Sequence, residues 1–329
     1  MSVLVTGAAG FIGYHAAKRL VQQGQQVIGI DNLNDYYNVE LKRARLKQLR
    51  ELPGFDFQLM DIVDKPALMM LFKEHRFTEV IHLAAQAGVR YSLDNPDAYA
   101  QSNLVGFLNV LEACRFYQPA HLVYASSTSV YGANSELPYS VENPAERPVS
   151  LYAATKRANE LLASSYCHLY GLKASGLRFF TVYGPWGRPD MALFKFTQAI
   201  LQGEPIDIYN NGQMARDFTC IDDIVEGIAL LRCKPPAAAK EGEGVNKLFN
   251  IGRGKPIKLL DFVDCLEKAL GIKAQYNFLP LQAGDVVSTW ADVSALAQWT
   301  GFSPQVHVAD GVSRFVAWYR DYYQIQPDD

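Results

Sequence analysis

Cysteine is sparse in this sequence, 5 among 329 residues, at positions 114, 167, 220, 233 and 265. The number is odd and the spacing suits no metal, so a disulfide framework and a zinc site are both excluded and no metal is expected. Free thiols in a reducing compartment fit instead. No apolar run approaches the roughly 20 residues that a bilayer span needs. No basic leader stands before the first strand, and a cytoplasmic protein is the expectation. Charge of one sign is missing too: Lys and Arg number 31 against 34 Asp and Glu, a net charge of −3. No cationic block is present to track a phosphate backbone, so neither nucleic acid nor membrane is an expected partner. Internal repeats and low-complexity tracts are also absent. What remains is 49% hydrophobic, enough over this length for a large core and two domains.

The chain opens on a short apolar strand, Ser2 to Thr6, and turns through Gly7-Ala8-Ala9-Gly10-Phe11-Ile12-Gly13 into a helical run ending near Gly24. Glycines let backbone approach a pyrophosphate, and a helix N-terminus offers free N–H groups and the positive end of its dipole. By itself the Gly-x-x-Gly-x-x-Gly spacing would equally suit a tight turn before a packed helix. The next strand, Gln26 to Ile30, ends in Asp31, where an acid accepts both hydroxyls of an adenosine ribose. Such an acid repels a 2′-phosphate, so NAD is expected rather than NADP.

Asn32 to Leu52 is polar and rich in Arg and Lys, and is expected as a helix with a solvated face. A third strand, Phe55 to Leu59, leads to Asp61, which either hydrogen-bonds an adenine amine or caps the helix starting near Lys65. The fourth strand, Val80 to Leu83, holds His82 as a core histidine and runs into small residues, Ala84 to Val89, against which a flat cofactor can lie. Asn95-Pro96 opens a helical stretch to Tyr117, and His121 to Ser126 and Ala174 to Phe180 are further strands. Strands alternating with helices through residue 180 predict an α/β fold, a doubly wound parallel sheet that binds ligands at the C-terminal ends of its strands. Residues 1–180 are the expected cofactor domain. A smaller substrate domain is expected over 181–329, with segments near 215–252 returning to the first. In that second part, Ile206 to Tyr209 and Arg216 to Thr219 flank Asn210-Asn211-Gly212 as an expected hairpin. Asp222-Asp223 is expected to cap a helix to Arg232.

The chemistry concentrates between Ala125 and Lys156. A Tyr and a Lys four apart on a helix share a face about one turn apart, so Lys156 can favour the ionised form of Tyr152. That makes a base of a weak acid, and Ser127 can hold the oxygen of the group being oxidised. Composition alone predicts roughly one such Tyr-x-x-x-Lys spacing. Tyr14 and Lys18 form a second one with no serine strand before it, and are expected on a solvated helix face.

The glycine triplet, Asp31, Ser127 and Tyr152-x-x-x-Lys156 resemble the extended short-chain dehydrogenase/reductase family over essentially the whole chain. Four stretches look specifically like the UDP-glucuronate 4-epimerases: Asp35-Tyr36-Tyr37, Gln86 to Ser92, Arg178 to Pro185, and Gly187-Arg188-Pro189-Asp190-Met191-Ala192. The departures from relatives matter as well. UDP-galactose 4-epimerases usually carry Asn at the position of Thr181 and Arg at that of Gln282. The dTDP-glucose 4,6-dehydratases place an Asp-Glu pair where this chain has Thr128 and Ser129, neither of which can protonate a leaving hydroxyl, so dehydration is disfavoured.

The resemblance implies bound NAD walled by Gly7, Gly10, Phe11, Ile12, Gly13, Asp31, Asn32, Asp61, Ile62, Leu83, Ala84, Ala85, Gln86, Asn103 and Phe179, with Tyr152 and Lys156 at the nicotinamide end. It implies that Tyr152 takes the proton of a sugar 4-hydroxyl while hydride leaves C4. The 4-keto sugar then turns over and takes the hydride back on its other face. With a ketone at C4, the C6 carboxylate of a uronate belongs to a β-keto acid and needs fixed donors to hold it. Thr181, Arg188, Ser129 and, more weakly, Arg90 are the candidates. Arg216 resembles a position contacting the diphosphate, Asp285 one contacting the uridine ribose, and Gln282 a neutral replacement for a charged contact. A homodimer through helices near 104–117 and 152–170 is also implied. The rival readings are a UDP-glucuronate decarboxylase, a UDP-hexose or UDP-N-acetylhexosamine 4-epimerase and, from another class, a non-catalytic NAD-bound regulator; intact Ser127, Tyr152 and Lys156 weigh against the last.

Overall fold

The computed structural model describes residues 2–134, 136–237, 244–281 and 286–326. Six strands follow in chain order: β1 (Ser2–Thr6), β2 (Gln26–Asp31), β3 (Phe55–Leu59), β4 (Glu79–His82), β5 (His121–Ser127) and β6 (Lys173–Phe179). Together with Val245–Ile251 they form a seven-stranded sheet in which that last strand lies outside β6, followed by β5, β4, β1, β2 and β3. Every pairing is parallel. Successive strands therefore need crossovers, which α1 (Phe11–Gln22), α2 (Val39–Arg50) and α3 (Lys65–His75) supply first. Strand order reverses between β1 and β4, and the crevice opens there. Apolar side chains pack on both faces, Val3, Val5 and Ile81 on one and Leu4, Val80 and Leu122 on the other, as a sheet covered by helices on both sides demands.

After β4 come α4 (Tyr91–Asp94), α5 (Pro96–Tyr99), a π-helical segment (Ala100–Gly106), α6 (Phe107–Tyr117) and, after β5, the long α7 (Leu151–Tyr170). Asn95 and Ser150 start α5 and α7 by accepting from Ala98 and Ala153 N–H. The π-helical segment carries Asn103 and lies beside the cleft, where such wide turns concentrate. Beyond residue 180 the remaining strands form small two- and three-stranded sheets.

The expected hairpin is not formed. Asn210, Asn211 and Gly212 do take positive φ, but three successive left-handed residues carry the chain away instead of folding it back. Ile206–Tyr209 pairs in parallel with Tyr276–Leu279, and Ala215–Arg216 pairs with Ile257–Lys258 and Ser288–Thr289. Asp222 and Asp223 sit in the first turn of the helix Ile221–Arg232 but do not cap it. Asp223 accepts instead from the N–H groups of Gln305 and Val306, and Asp222 pairs with Arg314. The Tyr14–Lys18 face is not solvated either: Tyr14 is fully buried and donates to Gln48 Oε1 at 2.6 Å. Only the outer face of α2 is solvated, because Lys42 and Arg45 point inward and are buried. His82 is a core histidine as expected, 2.8 Å from Thr6 Oγ1 and stacked on Phe107. None of the described helices is long and apolar enough to cross a membrane.

Candidate active site

The strand ends open into a cleft of about 930 Å³. Its floor is the glycine turn. Gly7 has φ +71°, and a Cβ there would stand 2.7 Å from Ala84 N; one on Gly13 would stand 2.0 Å from Gly7 O. Only glycine lets the turn cross the end of β4 this closely. Gly10 caps α1 without a side-chain bond, so the first N–H groups of the helix stay available to an anion. Asp31 closes β2, its two oxygens accepting from Ala9 N at 3.1 Å and Leu33 N at 2.8 Å. Burial pushes its carboxyl up from the ordinary range, and the nearby Lys42 ammonium pulls it back down.

Ser127, Tyr152 and Lys156 line the same cleft. Ser127 ends β5 and accepts from Ser129 N at 3.2 Å. Tyr152 lies in the first turn of α7, with Tyr99 edge-on to its ring at 6.1 Å. Burial pushes the Tyr152 phenol up, while a hydrogen bond with Ser127 and the Arg188 charge pull it down. Lys156, one turn along, donates to Ala125 O at 2.9 Å, and burial takes its pKa down to about 8. Lys156 thus stands one turn from Tyr152 with its ammonium on the Ala125 carbonyl, and Arg188 adds a cation that the sequence reading had not assigned to the phenol.

Arg188 is itself held. Its Nε donates to Asp190 Oδ1 at 3.0 Å and its Nη2 to Oδ2, and Tyr36 donates to the same Oδ2 at 3.1 Å. Burial opposes ionisation of Asp190, yet the Arg188 guanidinium holds its carboxyl below the usual range. A guanidinium has five N–H donors, so Arg188 keeps free capacity for a second acceptor.

Of the remaining expected residues, Phe11, Ile12, Asn32, Asp61, Ile62, Leu83, Ala84, Ala85, Gln86, Phe179, Ser129, Thr181, Arg90 and Arg216 all line this one cleft. Asp61 does not cap α3. Asp64 does, accepting from Ala67 N, which leaves Asp61 to accept from Asn32 Nδ2 at 2.9 Å and Val63 N. Asn103 stands behind the wall: its amide grips Gln86 N at 2.8 Å and Gln86 O at 3.0 Å. Arg90 lies 5.4 Å over the Tyr209 ring, and Arg216 donates to the carbonyls of Ala215 and Val287. Gln282 and Asp285 lie outside the described residues.

Sequence reasoning missed Lys42, Tyr36 and Asp190. Lys42 donates to Asn34 O at 2.7 Å and to Asn34 Oδ1 at 2.8 Å, within the cleft wall. The inward-facing positions of α2 were the signal for it, since 42, 45, 46 and 49 follow helical spacing. Tyr36 and Asp190 stood inside the quoted motifs without a role.

A dinucleotide fits these residues. The turn leaves no room for side chains, an acid closes β2, and Gln86 Nε2 is buried in the cleft wall without a hydrogen-bond partner. A model of the NAD dependent epimerase/dehydratase family matches residues 3–252. The chain belongs to that family. It is similar to a probable UDP-glucuronate 4-epimerase of Rhizobium meliloti, 48% identical over 335 residues, with 98% of each chain covered. UDP-glucuronate 4-epimerase 4 of Arabidopsis thaliana is 47% identical over 98% of this chain and 76% of its own. Among solved structures, the UDP-glucuronic acid 4-epimerase of Bacillus cereus, crystallised with UDP-glucuronic acid and NAD, aligns with a TM-score of 0.89. That enzyme is 33% identical, and the alignment covers 98% of this chain and all of the other.

Proposed function

We propose that this family member is a UDP-glucuronate 4-epimerase, interconverting UDP-glucuronate and UDP-galacturonate on NAD that stays bound. The observation that carries this reading is the Arg188–Asp190 pair beside Tyr152, a fixed cation where the C6 carboxylate of a uronate would lie. The glycine turn and α1 N-terminus would hold the NAD pyrophosphate, Asp31 the adenosine ribose, and Tyr152 with Lys156 the nicotinamide end. The chemistry that NAD supplies when bound is reversible hydride transfer at C4.

The protein's own part is proton transfer and restraint. Tyr152 takes the 4-hydroxyl proton as the phenolate, a form that burial opposes and that the Ser127 hydrogen bond and the Arg188 charge favour. Ser127 keeps the oxygen oriented while C4 is a ketone. In that state the uronate is a β-keto acid, and it loses carbon dioxide if its carboxylate bond aligns with the carbonyl π system. Arg188, with Thr181 and Ser129, holds the carboxylate out of alignment. One charged hydrogen bond is worth about 1.5–3 kcal/mol, or roughly tenfold to a hundredfold for the acid over a neutral hexose. Thr128 and Ser129 offer no acid for dehydration. Arg216, Gln282 and Asp285 are assigned to the nucleotide, within a substrate domain spanning 181–329.

We also infer a homodimer. Leu108 and Phe116 on α6 and Leu161 and Leu169 on α7 are 38%, 60%, 56% and 60% exposed, a row of large apolar side chains that a second copy would cover. Five free thiols favour a reducing compartment, the cytoplasm.

The test is incubation of the purified protein with UDP-glucuronate and no added reductant, with the products resolved by chromatography and mass spectrometry. A new peak of unchanged mass, lost in Tyr152→Phe and much reduced in Arg188→Ala, is expected. A product lighter by carbon dioxide would move the reading to a decarboxylase; an inert UDP-glucuronate would move it to neutral UDP-hexoses.

A further inference from the structure

Arg45 is among the largest fully buried side chains of the protein, 0% exposed, yet the oxygens that its guanidinium touches include no carboxylate. Nη1 donates to Ala9 O at 2.9 Å and to the Tyr37 hydroxyl at 2.7 Å; Nη2 donates to Trp186 O at 2.6 Å and to Gly187 O at 3.1 Å. Burying a cation is costly, and a core that only needed filling would take a leucine there. What the arginine does is join two loops that lie far apart in sequence. Ala9 sits in the turn between Gly7 and Gly13. Gly187 O belongs to the peptide bond that leads into Arg188.

The second loop needs holding. Trp186 has φ +61°, a left-handed conformation unfavourable for a bulky residue. Its ring packs against Tyr14, Trp318 and Tyr322, and its carbonyl is fixed by Arg45. The guanidinium is planar, so two donors on one side and two on the other set the spacing of the two loops.

We propose that Arg45 is a positioning residue that couples the glycine turn to the loop of Arg188, so that the carboxylate-holding side of the cleft is set from the cofactor side. This rests on the reading of Arg188 as the uronate contact. A purely structural arginine would, when altered, weaken all ligands alike. A positioning arginine acts on the uronate part alone.

The experiment is titration calorimetry of the NAD-loaded protein with UDP-glucuronate and, separately, with UDP, for the wild type, Arg45→Lys and Tyr37→Phe. Lysine keeps the charge but not the fork. In Arg45→Lys the preference for UDP-glucuronate over UDP is expected to lose most of its roughly tenfold to hundredfold carboxylate contribution, with UDP affinity unchanged within about twofold and part of the turnover diverted to carbon dioxide release. Tyr37→Phe, which removes one Nη1 acceptor and no backbone contact, moves the same ratio the same way by a smaller factor, and decides the matter if Arg45→Lys fails to fold. An unchanged ratio in the folded variants, or equal losses for both ligands, overturns the proposal and leaves the functional reading intact. A wild type that does not prefer UDP-glucuronate sinks both.

Discussion

Glu160 lies on α7 one turn beyond Lys156, and its carboxylate is 1% exposed. Its Oε1 accepts from Ser126 Oγ at 2.6 Å and Arg178 Nε at 2.8 Å; its Oε2 accepts from Arg178 Nη2 at 2.9 Å and Arg157 Nη1 at 2.8 Å. Glu160→Gln keeps the shape. Whichever way the amide turns, its NH₂ group meets a donor, and the Arg178 cation, 2% exposed, loses its counter-charge. Breaking a buried pair from one side costs about 3–5 kcal/mol. Unfolding entropy of roughly 2.1 cal/mol/K per residue makes about 0.7 kcal/mol/K over this chain, so the melting temperature should fall by about 4–7 °C. Urea denaturation gives the free energy and calorimetry the temperature. The Glu160→Leu, Arg178→Met double variant removes both charges, so its loss should be smaller than that of Glu160→Leu alone. Burial raises the Glu160 pKa, but the Arg178 bonds bring it below the ordinary value. Its contribution is therefore present above about pH 4.5 and lost as the pH falls below that. A loss under about 1 kcal/mol for Glu160→Gln, or strict additivity in the double variant, would refute this reasoning.

Three further outcomes follow from the geometry. Asp190→Asn removes the counter-charge of Arg188, so the cation acts more fully on Tyr152, and the acid limb of the kcat/KM profile with UDP-glucuronate should move to lower pH; an unmoved limb would mean that Arg188 does not reach the phenol. His82 is buried and His15 half-buried, and the loss of water around each ring takes their pKa values down to about 3 and about 4. Thr6 Oγ1 accepts from Leu83 N and Ala84 N, so its one proton goes to His82 Nδ1, which has no room for a proton of its own. Both histidines therefore stabilise the fold above about pH 6.5, and stability should fall by about 1.4 kcal/mol per histidine per pH unit as the pH drops from there toward 4. Urea midpoints across that range should show a shallower slope in His82→Asn, not abolished because His15 and the likewise buried His121 still contribute, and a slope unaffected by the substitution would count against it. Gly13→Ala places a Cβ 2.0 Å from Gly7 O; the purified variant should lack NAD on acid extraction, and full occupancy would show that the turn yields.

What could be read in the residues themselves was local. A strand, a glycine turn and a helix follow one another within 24 residues, and Asp31 and Ser127 end their strands, so short-range pattern was enough to place them at one sheet edge. The alternation of strands and helices specified parallel pairing for the same reason. The α2 face escaped because burial of Lys42 and Arg45 depends on carbonyls contributed from elsewhere, Asn34 O nearby but Trp186 O and Gly187 O some 140 positions away. Tyr14 looked solvated until Gln48 reached it across α2. The hairpin failed because Asn210-Asn211-Gly212 is compatible with reversal without requiring it, and the strand at Ile206–Tyr209 found a better partner at Tyr276–Leu279. Tertiary structure alone decided the electrostatics of Tyr152. Helical spacing puts Lys156 on its face, but the burial of the phenol, the Ser127 hydrogen bond and the Arg188 charge that act on it come from residues 25 or more positions away in the chain. Chain order sets which groups are available, and only packing sets which charges meet, because hydrogen bonds and charge interactions act over a few ångströms of space rather than along the sequence.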